Sequence, residues 1–168
     1  MNSDREDQPW RSWLVQHGPA LMLLSRQYCA SRADAEDALQ DGFIRFWRSR
    51  ERAQDASGYL FGCVRSAAMD LSRSSRRRGR HEAQTPHSSF APDDWTGDLE
   101  RAELRATVTA ALRTLPAEQR EVLVMKIWGE LTFAQIATAL EIKADTAASR
   151  YRYALAKLEE ALPKELAR

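Results

Sequence analysis

The sequence predicts an all-α protein built as two small helical domains joined by a flexible linker. Three observations point there. Apolar residues recur at steps of three and four along almost the whole chain, with no alternating segment that reads as a strand. Only seven Gly and six Pro occur in 168 residues, which suits long elements and few tight turns. A basic cluster followed by an acidic stretch marks a compositional boundary near the middle: residues 73–80 hold five Arg in eight positions, and Asp93, Asp94, Asp98, Glu100 and Glu103 follow against a single Arg101. The length fits one domain or two small ones.

Within the first domain, 10–80, Ala20, Leu21, Leu23, Leu24, Tyr28 and Cys29 form the inner face of a first helix. Ser31 to Asp34 reads as a capping box that opens a second helix over about 33–50. That helix carries an apolar stripe of Ala35, Leu39, Phe43, Phe46 and Trp47, with Asp34, Asp37, Gln40, Asp41, Arg45 and Arg48 on its other side. Its acids lie early and its bases late, as the helix dipole favours. The polar break 54–58 precedes a third helix that turns Tyr59, Leu60, Cys63, Val64, Ala67, Ala68 and Leu71 inward, presents Arg65, Ser66 and Asp70 outward, and runs into the Arg cluster.

Residues 81–98 have the polar, Pro-containing make-up of a linker. The second domain, 99–164, opens with Leu104, Val108, Ala111, Leu112 and Leu115 on one helical face. Pro116 starts the next helix, which Gly129 is expected to close. Thr132 to Gln135 reads as a capping box for a short helix burying Phe133, Ile136, Ala137 and Leu140. A break at 141–144 leads to a last helix from about Asp145, expected to bury Tyr151, Ala154, Leu155, Leu158 and Leu162.

A short capped helix, a tight turn and a longer helix make a helix-turn-helix, with small Ala137 at the crossing. The start of the last helix, with Thr146, Ala147, Ala148, Ser149, Arg150 and Arg152, is small, polar or basic, as a helix entering the DNA major groove requires; Lys157 adds a cation. The array Arg65, Ser66, Arg73, Arg76, Arg77, Arg78 and Arg80 offers dense phosphate contacts, and Tyr59 behind the loop 54–58 could stack an unpaired base. The face Asp37, Gln40, Asp41, Arg45 and Arg48 could dock a partner helix. A solvated charged surface is the plainer reading of each of these stretches taken alone.

Several classes are disfavoured. The formal net charge of +1 excludes a uniformly basic or acidic protein, although it conceals the local clusters. No apolar run approaches the ~18–20 residues that span a bilayer, and the charged N-terminus does not read as a secretory signal, so a cytoplasmic protein is expected. Cys29 and Cys63 lie in apolar helical patterns, which argues against a disulfide framework. His17, His81 and His87 lack ligand spacing, and no Gly-rich phosphate loop or nucleophile elbow appears. Neither catalysis nor a cofactor is expected.

Two longer motifs carry a family resemblance. Asp34-Ala35-Glu36-Asp37-Ala38-Leu39-Gln40-Asp41-Gly42-Phe43-Ile44-Arg45-Phe46-Trp47, with Tyr59 through Asp70 and the following arginines, resembles region 2 of the bacterial extracytoplasmic-function (ECF) sigma factors. Leu115 to Leu123, Leu131 to Ala137, and Thr146 with Ser149-Arg150 resemble region 4. The resemblance implies a region 2 helical bundle and a region 4 helix-turn-helix that direct core RNA polymerase to promoters. Asp37, Gln40, Asp41, Arg45 and Arg48 would face the clamp coiled coil of the polymerase β′ subunit. Tyr59, Arg65, Ser66, Arg73, Arg76, Arg77, Arg78 and Arg80 would engage the −10 element as it melts. Thr146, Ala147, Ala148, Ser149, Arg150, Arg152 and Lys157 would lie at the −35 element, while the region 4 helices also dock on the β flap. An anti-sigma factor is the expected inhibitor, and the free chain is expected to be a monomer.

The chain departs from the family pattern where Ser66 replaces a usual Asn and where Ala147 and Ala148 replace Val and Lys. Glu141 and Asp145 stand where Gly is common in the turn. These changes imply altered promoter preference. Two other readings compete: a stand-alone helix-turn-helix regulator of the LuxR type, and a helical adaptor that binds only protein. The first leaves the N-terminal motif unexplained. The second treats the arginines as solvent-facing.

Overall fold

A computed structural model describes the backbone of residues 8–79 and 99–162 and the side chains of 11–79 and 106–162. Arg80, the expected linker 81–98 and the side chain of Leu104 lie outside the described residues. Among the described residues there are seven α-helices and no strand: α1 (Gln8–Arg26), α2 (Arg32–Ser49), α3 (Ala56–Gly79), α4 (Leu99–Thr114), α5 (Ala117–Ile127), α6 (Phe133–Leu140) and α7 (Ala144–Ala161). A single 3-10 turn, Arg50–Arg52, follows α2.

The local signals account for most boundaries. Ser31 caps α2, its Oγ accepting the Asp34 N–H at 3.0 Å. Thr132 and Gln135 form the full reciprocal box at α6: the Thr132 hydroxyl accepts the Gln135 N–H and the Gln135 side chain accepts the Thr132 N–H. The break before α3 is shorter than expected, because Asp55 Oδ2 accepts the Gly58 N–H at 3.0 Å and draws 56–58 into the first helical turn. Gly129 does not provide the left-handed cap expected of it; Glu130 does, at φ 53. A Cβ at Gly129 would lie 2.9 Å from Phe61 Cζ, so the glycine admits an aromatic ring from α3.

That contact belongs to a continuous core. Leu21 and Leu24 of α1, Phe46 of α2, and Leu60, Phe61 and Val64 of α3 pack in one cluster with Val122, Met125, Leu131, Ile136 and Ala147. Leu23 of α1 packs with Leu112, Leu115, Leu123, Val124 and Ala154. The two helical groups, α1–α3 and α4–α7, are therefore folded against one another. Phe61 is fully buried, although the inward face expected for α3 did not include it.

Three expected burial assignments are corrected. Trp47 is 36% exposed, its ring covered by the Arg50 guanidinium at 3.8 Å. Leu155 is 41% exposed, because α7 buries the line Ala147, Tyr151, Ala154 and Leu158 and Leu155 lies to its side. Ala147 is fully buried and so is not available to a DNA groove in this packing.

Candidate nucleic-acid and polymerase interfaces

On α2, Asp37, Gln40 and Arg48 are exposed and Asp41 and Arg45 are half-buried, so the five sequence-predicted residues share one side of the helix. Arg45 is braced rather than free. It meets Asp41 Oδ2 at 2.7 Å and Asp70 Oδ2 of α3 at 2.8 Å, and the Asp70 hydrogen bond raises its already high pKa further. Ile44, 49% exposed, sits one turn from both Gln40 and Arg48, with the exposed edge of Trp47 nearby in sequence. The face is thus amphipathic: an apolar spot ringed by charge, the composition of a protein-binding patch. Sequence reasoning missed Ile44; its spacing from Gln40 and Arg48 was the available signal.

On α3, Arg73, Arg76, Arg77 and Arg78 are exposed along the last two turns, and the helix continues through all four, so the cations surround its C-terminal end. Asp70 approaches Arg73 only at 4.0 Å. Ser66 is exposed and Tyr59 half-buried. Both line a cleft between α3 and α6 together with Gly62, Arg73, Thr138 and Glu141.

Arg65 does not point to solvent with them. Its Nε donates to Glu121 Oε1 of α5 at 2.6 Å, its guanidinium lies 5.9 Å from the Tyr28 ring centroid, and the Tyr28 hydroxyl donates to the same carboxylate oxygen. Glu121 is 2% exposed, and burial pushes its carboxyl up to about 7, with Arg150 pulling it the other way. Burial also lowers the Arg65 pKa, but a guanidinium stays protonated in any case. The chain had given no sign of this group: Glu121 sits among apolar Val122, Leu123, Val124 and Met125, and its partners lie 56 and 93 residues away.

On α7, Ser149 and Arg152 are linked by a 3.3 Å hydrogen bond from the guanidinium to the hydroxyl, and Arg152 and Lys157 are exposed. Thr146 and Ala148 are half-buried. Arg150 turns back to Glu118 of α5 at 3.1 Å, its side chain 25% exposed. The turn into α7 uses Glu141 at φ 55, with the Ile142 N–H closing on the Ala137 carbonyl. A glutamate therefore occupies the left-handed position that glycine usually fills.

Among the described residues no group of His, Cys, Asp and Glu could hold a metal ion. Both cysteines are buried, and burial pushes the Cys29 thiol up to about 11, which leaves it a poor nucleophile. No described helix is long and apolar enough to cross a membrane.

An amphipathic face on α2, a cationic end on α3 and a helix-turn-helix formed by α6 and α7 thus occur on one chain. The family follows from the sequence itself. Residues 13–78 match Sigma-70 region 2, and residues 105–158 match Sigma-70, region 4. The ECF RNA polymerase sigma factor SigL of Mycobacterium tuberculosis is 31% identical over 153 residues, spanning 88% of this chain and 85% of that protein. The RNA polymerase sigma-E factor of Streptomyces coelicolor is 30% identical over 146 residues, spanning 85% of this chain and 80% of its own length. The chain belongs to the ECF sigma factors of RNA polymerase. The fold agrees with that of the sigma factor RpoE of Bartonella quintana, solved with the anti-sigma factor NepR, at a TM-score of 0.61 and 21% identity over 90% of this chain and 95% of that one. It also agrees with CnrH, solved with the cytosolic domain of CnrY, at a TM-score of 0.58 and 24% identity over 90% and 85%.

Proposed function

We propose that this sigma factor docks on core RNA polymerase through α2, grips the −10 element with α3 and the −35 element with α7, and leaves all catalysis to the polymerase. The observation that carries the reading is the pairing, on one chain, of a region 2 match over 13–78, which holds the charged α2 face and the α3 arginines, with a region 4 match over 105–158, which holds the helix-turn-helix. The bound face comprises Asp37, Gln40, Asp41 and Arg48 around Ile44, with Arg45 holding Asp41 in place. Tyr59, Ser66, Arg73 and Arg76–Arg78 serve −10 DNA, joined by Arg65 when it is released from Glu121. On this reading the regions 10–80 and 99–164 work as separate grips, and the region 4 helices also meet the β flap. The protein acts in the cytoplasm as a monomer, and an anti-sigma factor controls it, as NepR, the anti-sigma partner of the Bartonella quintana neighbour, suggests.

At the −35 element the roles divide. On this reading exposed Arg152 reads base edges, steadied by half-buried Ser149, and exposed Lys157 supplies phosphate contact. Arg150, held by Glu118, positions α7 against α5. Ala147 is excluded from the reading set by its burial. Transcription in vitro with core polymerase and a library of promoter fragments tests the reading. Stimulated, sequence-selective initiation is expected; its absence at all promoters overturns the proposal. The LuxR-type alternative accounts only for the second half of the chain and leaves the match over 13–78 unexplained.

A further inference from the structure

Helix α7 turns one line of residues inward: Ala147, Tyr151, Ala154 and Leu158. At about 100° per residue, Ser149 and Ala156 lie on the crest opposite that line, and Arg152 and Tyr153 flank the crest on its two sides. Tyr151 packs against both core clusters that border α7, whereas Tyr153 packs against neither and is 63% exposed. A single exposed ring is ordinary on a protein surface. This one stands on the face of α7 that also carries Arg152 and Lys157, the exposed cations assigned to DNA.

The two flanks differ in chemistry. On one, the Arg152 guanidinium donates to the Ser149 hydroxyl at 3.3 Å and keeps further N–H groups for base edges. The other runs Thr146, Arg150, Tyr153 and Lys157, at helical steps of three and four. Thr146 is half-buried, and Arg150 turns back to Glu118 of α5 at 3.1 Å. With that cation drawn aside, Tyr153 and Lys157 are the residues this flank exposes. Lys157 offers a charge; Tyr153 offers an apolar surface. In the major groove the base edges carry hydrogen-bond donors and acceptors and one apolar substituent, the C5-methyl of thymine.

We propose that Tyr153 is a specificity-determining residue at the −35 element, its ring packing on the C5-methyl of a thymine while Arg152 reads hydrogen-bonding edges from the other flank. The inference rests on the −35 role of α7 given above and names a determinant within it. An α-helix is about 10 Å wide and base pairs are stacked at ~3.4 Å, so the pairs met by the two flanks lie within about three of each other. The element this chain selects therefore contains an A·T pair close to the pair that Arg152 reads.

The test uses the full chain with core polymerase and the promoter it selects. Replacing the thymines of the −35 element singly by uracil removes a methyl group and leaves base pairing intact. Initiation by the wild type is expected to fall about fourfold at one such position, the factor that burial of a single carbon group gives. Tyr153→Ala is expected to lose about tenfold on the unmodified promoter and nothing further with uracil at that position. Tyr153→Phe keeps the wild-type pattern, because the ring and not the hydroxyl makes the contact. Both variants keep the wild-type Tm, since the side chain lies outside the core clusters. The uracil-sensitive pair falls within about three pairs of the one whose preference Arg152→Ala relaxes. A selected element made of G·C pairs alone, a wild-type chain indifferent to uracil, or a uracil effect that persists in Tyr153→Ala each overturns the inference. So does a Tyr153→Ala loss matched by weaker binding to core polymerase without DNA, which would make the ring a protein contact. Selective initiation that ignores uracil defeats this inference alone; no selective initiation at any promoter defeats the functional reading with it.

Discussion

At the scale of single residues, Glu121 and His17 give the molecule opposite responses to pH. Glu121 has its carboxyl raised from 4.5 to about 7, chiefly by burial. The unfolded chain ionises this group first, so the stability it contributes is present below pH 4.5 and is lost as pH rises through 7. The loss has an upper bound of about 3 kcal/mol, reduced by the Arg65 contact. His17, 4% exposed beside Trp13 and Phe61, has its pKa lowered from 6.5 by burial, with Glu130 opposing. Its contribution is present above pH 6.5 and is lost on acidification. Glu121→Gln should therefore abolish the decline in stability between pH 4.5 and 7 and leave only the acid-side loss; urea unfolding across that range measures it, and an unchanged pH profile contradicts the assignment. On α7, Arg152→Ala should weaken −35 recognition selectively by ~1–3 kcal/mol, whereas Arg150→Ala should weaken all sequences alike by loosening α7. Promoter-competition assays separate the two patterns, and the reverse pattern would exchange the roles.

At the scale of elements, the helix-turn-helix depends on two local devices. Glu141 holds a left-handed backbone in the turn between α6 and α7. Glu141→Gly removes the Cβ conflict there and should raise stability by about 1 kcal/mol despite the added freedom of the unfolded chain, read as a higher Tm. Thr132→Ala removes one half of the α6 capping box and should cost about 1 kcal/mol by the same measurement. On α3 the exposed arginines make a different prediction. Replacing Arg76, Arg77 and Arg78 together by Ala should leave the fold intact, since none is buried. It should lower duplex binding across sequences and reduce the log–log salt slope by about 2–3, at ~0.9 per lost phosphate contact. An unchanged slope would mean that these arginines do not touch DNA; a flat response already in the wild type would favour the protein-binding adaptor.

At the scale of the whole molecule, α3 and α7, the two helices proposed to read DNA, and the α2 face belong to a single packed body. The α2 face stays open in that body, with Asp37, Gln40, Ile44 and Arg48 all exposed. Ile44→Asp should accordingly reduce the affinity of the chain for core polymerase at least tenfold. A pull-down titration checks it, and undiminished binding of Ile44→Asp removes the apolar spot from the interface.

The sequence by itself determined the helices, most of their starts and the face each turns inward. These depend on interactions within a few residues: apolar steps of three and four, the Ser31 and Thr132 caps, and the charge order along α2. It also carried the family, through motifs contiguous on single helices. The errors cluster where neighbours from elsewhere decide. Ala147 looked like a small groove residue but is covered by the core; Gly129 looked like a cap but makes room for Phe61; Arg65 looked solvent-facing but meets a carboxylate 56 residues on. Only the tertiary structure brought Tyr28, Arg65 and Glu121 together, because burial of a charge and its pairing are set by helices that the chain places far apart, and no periodicity along the chain records which of them will meet.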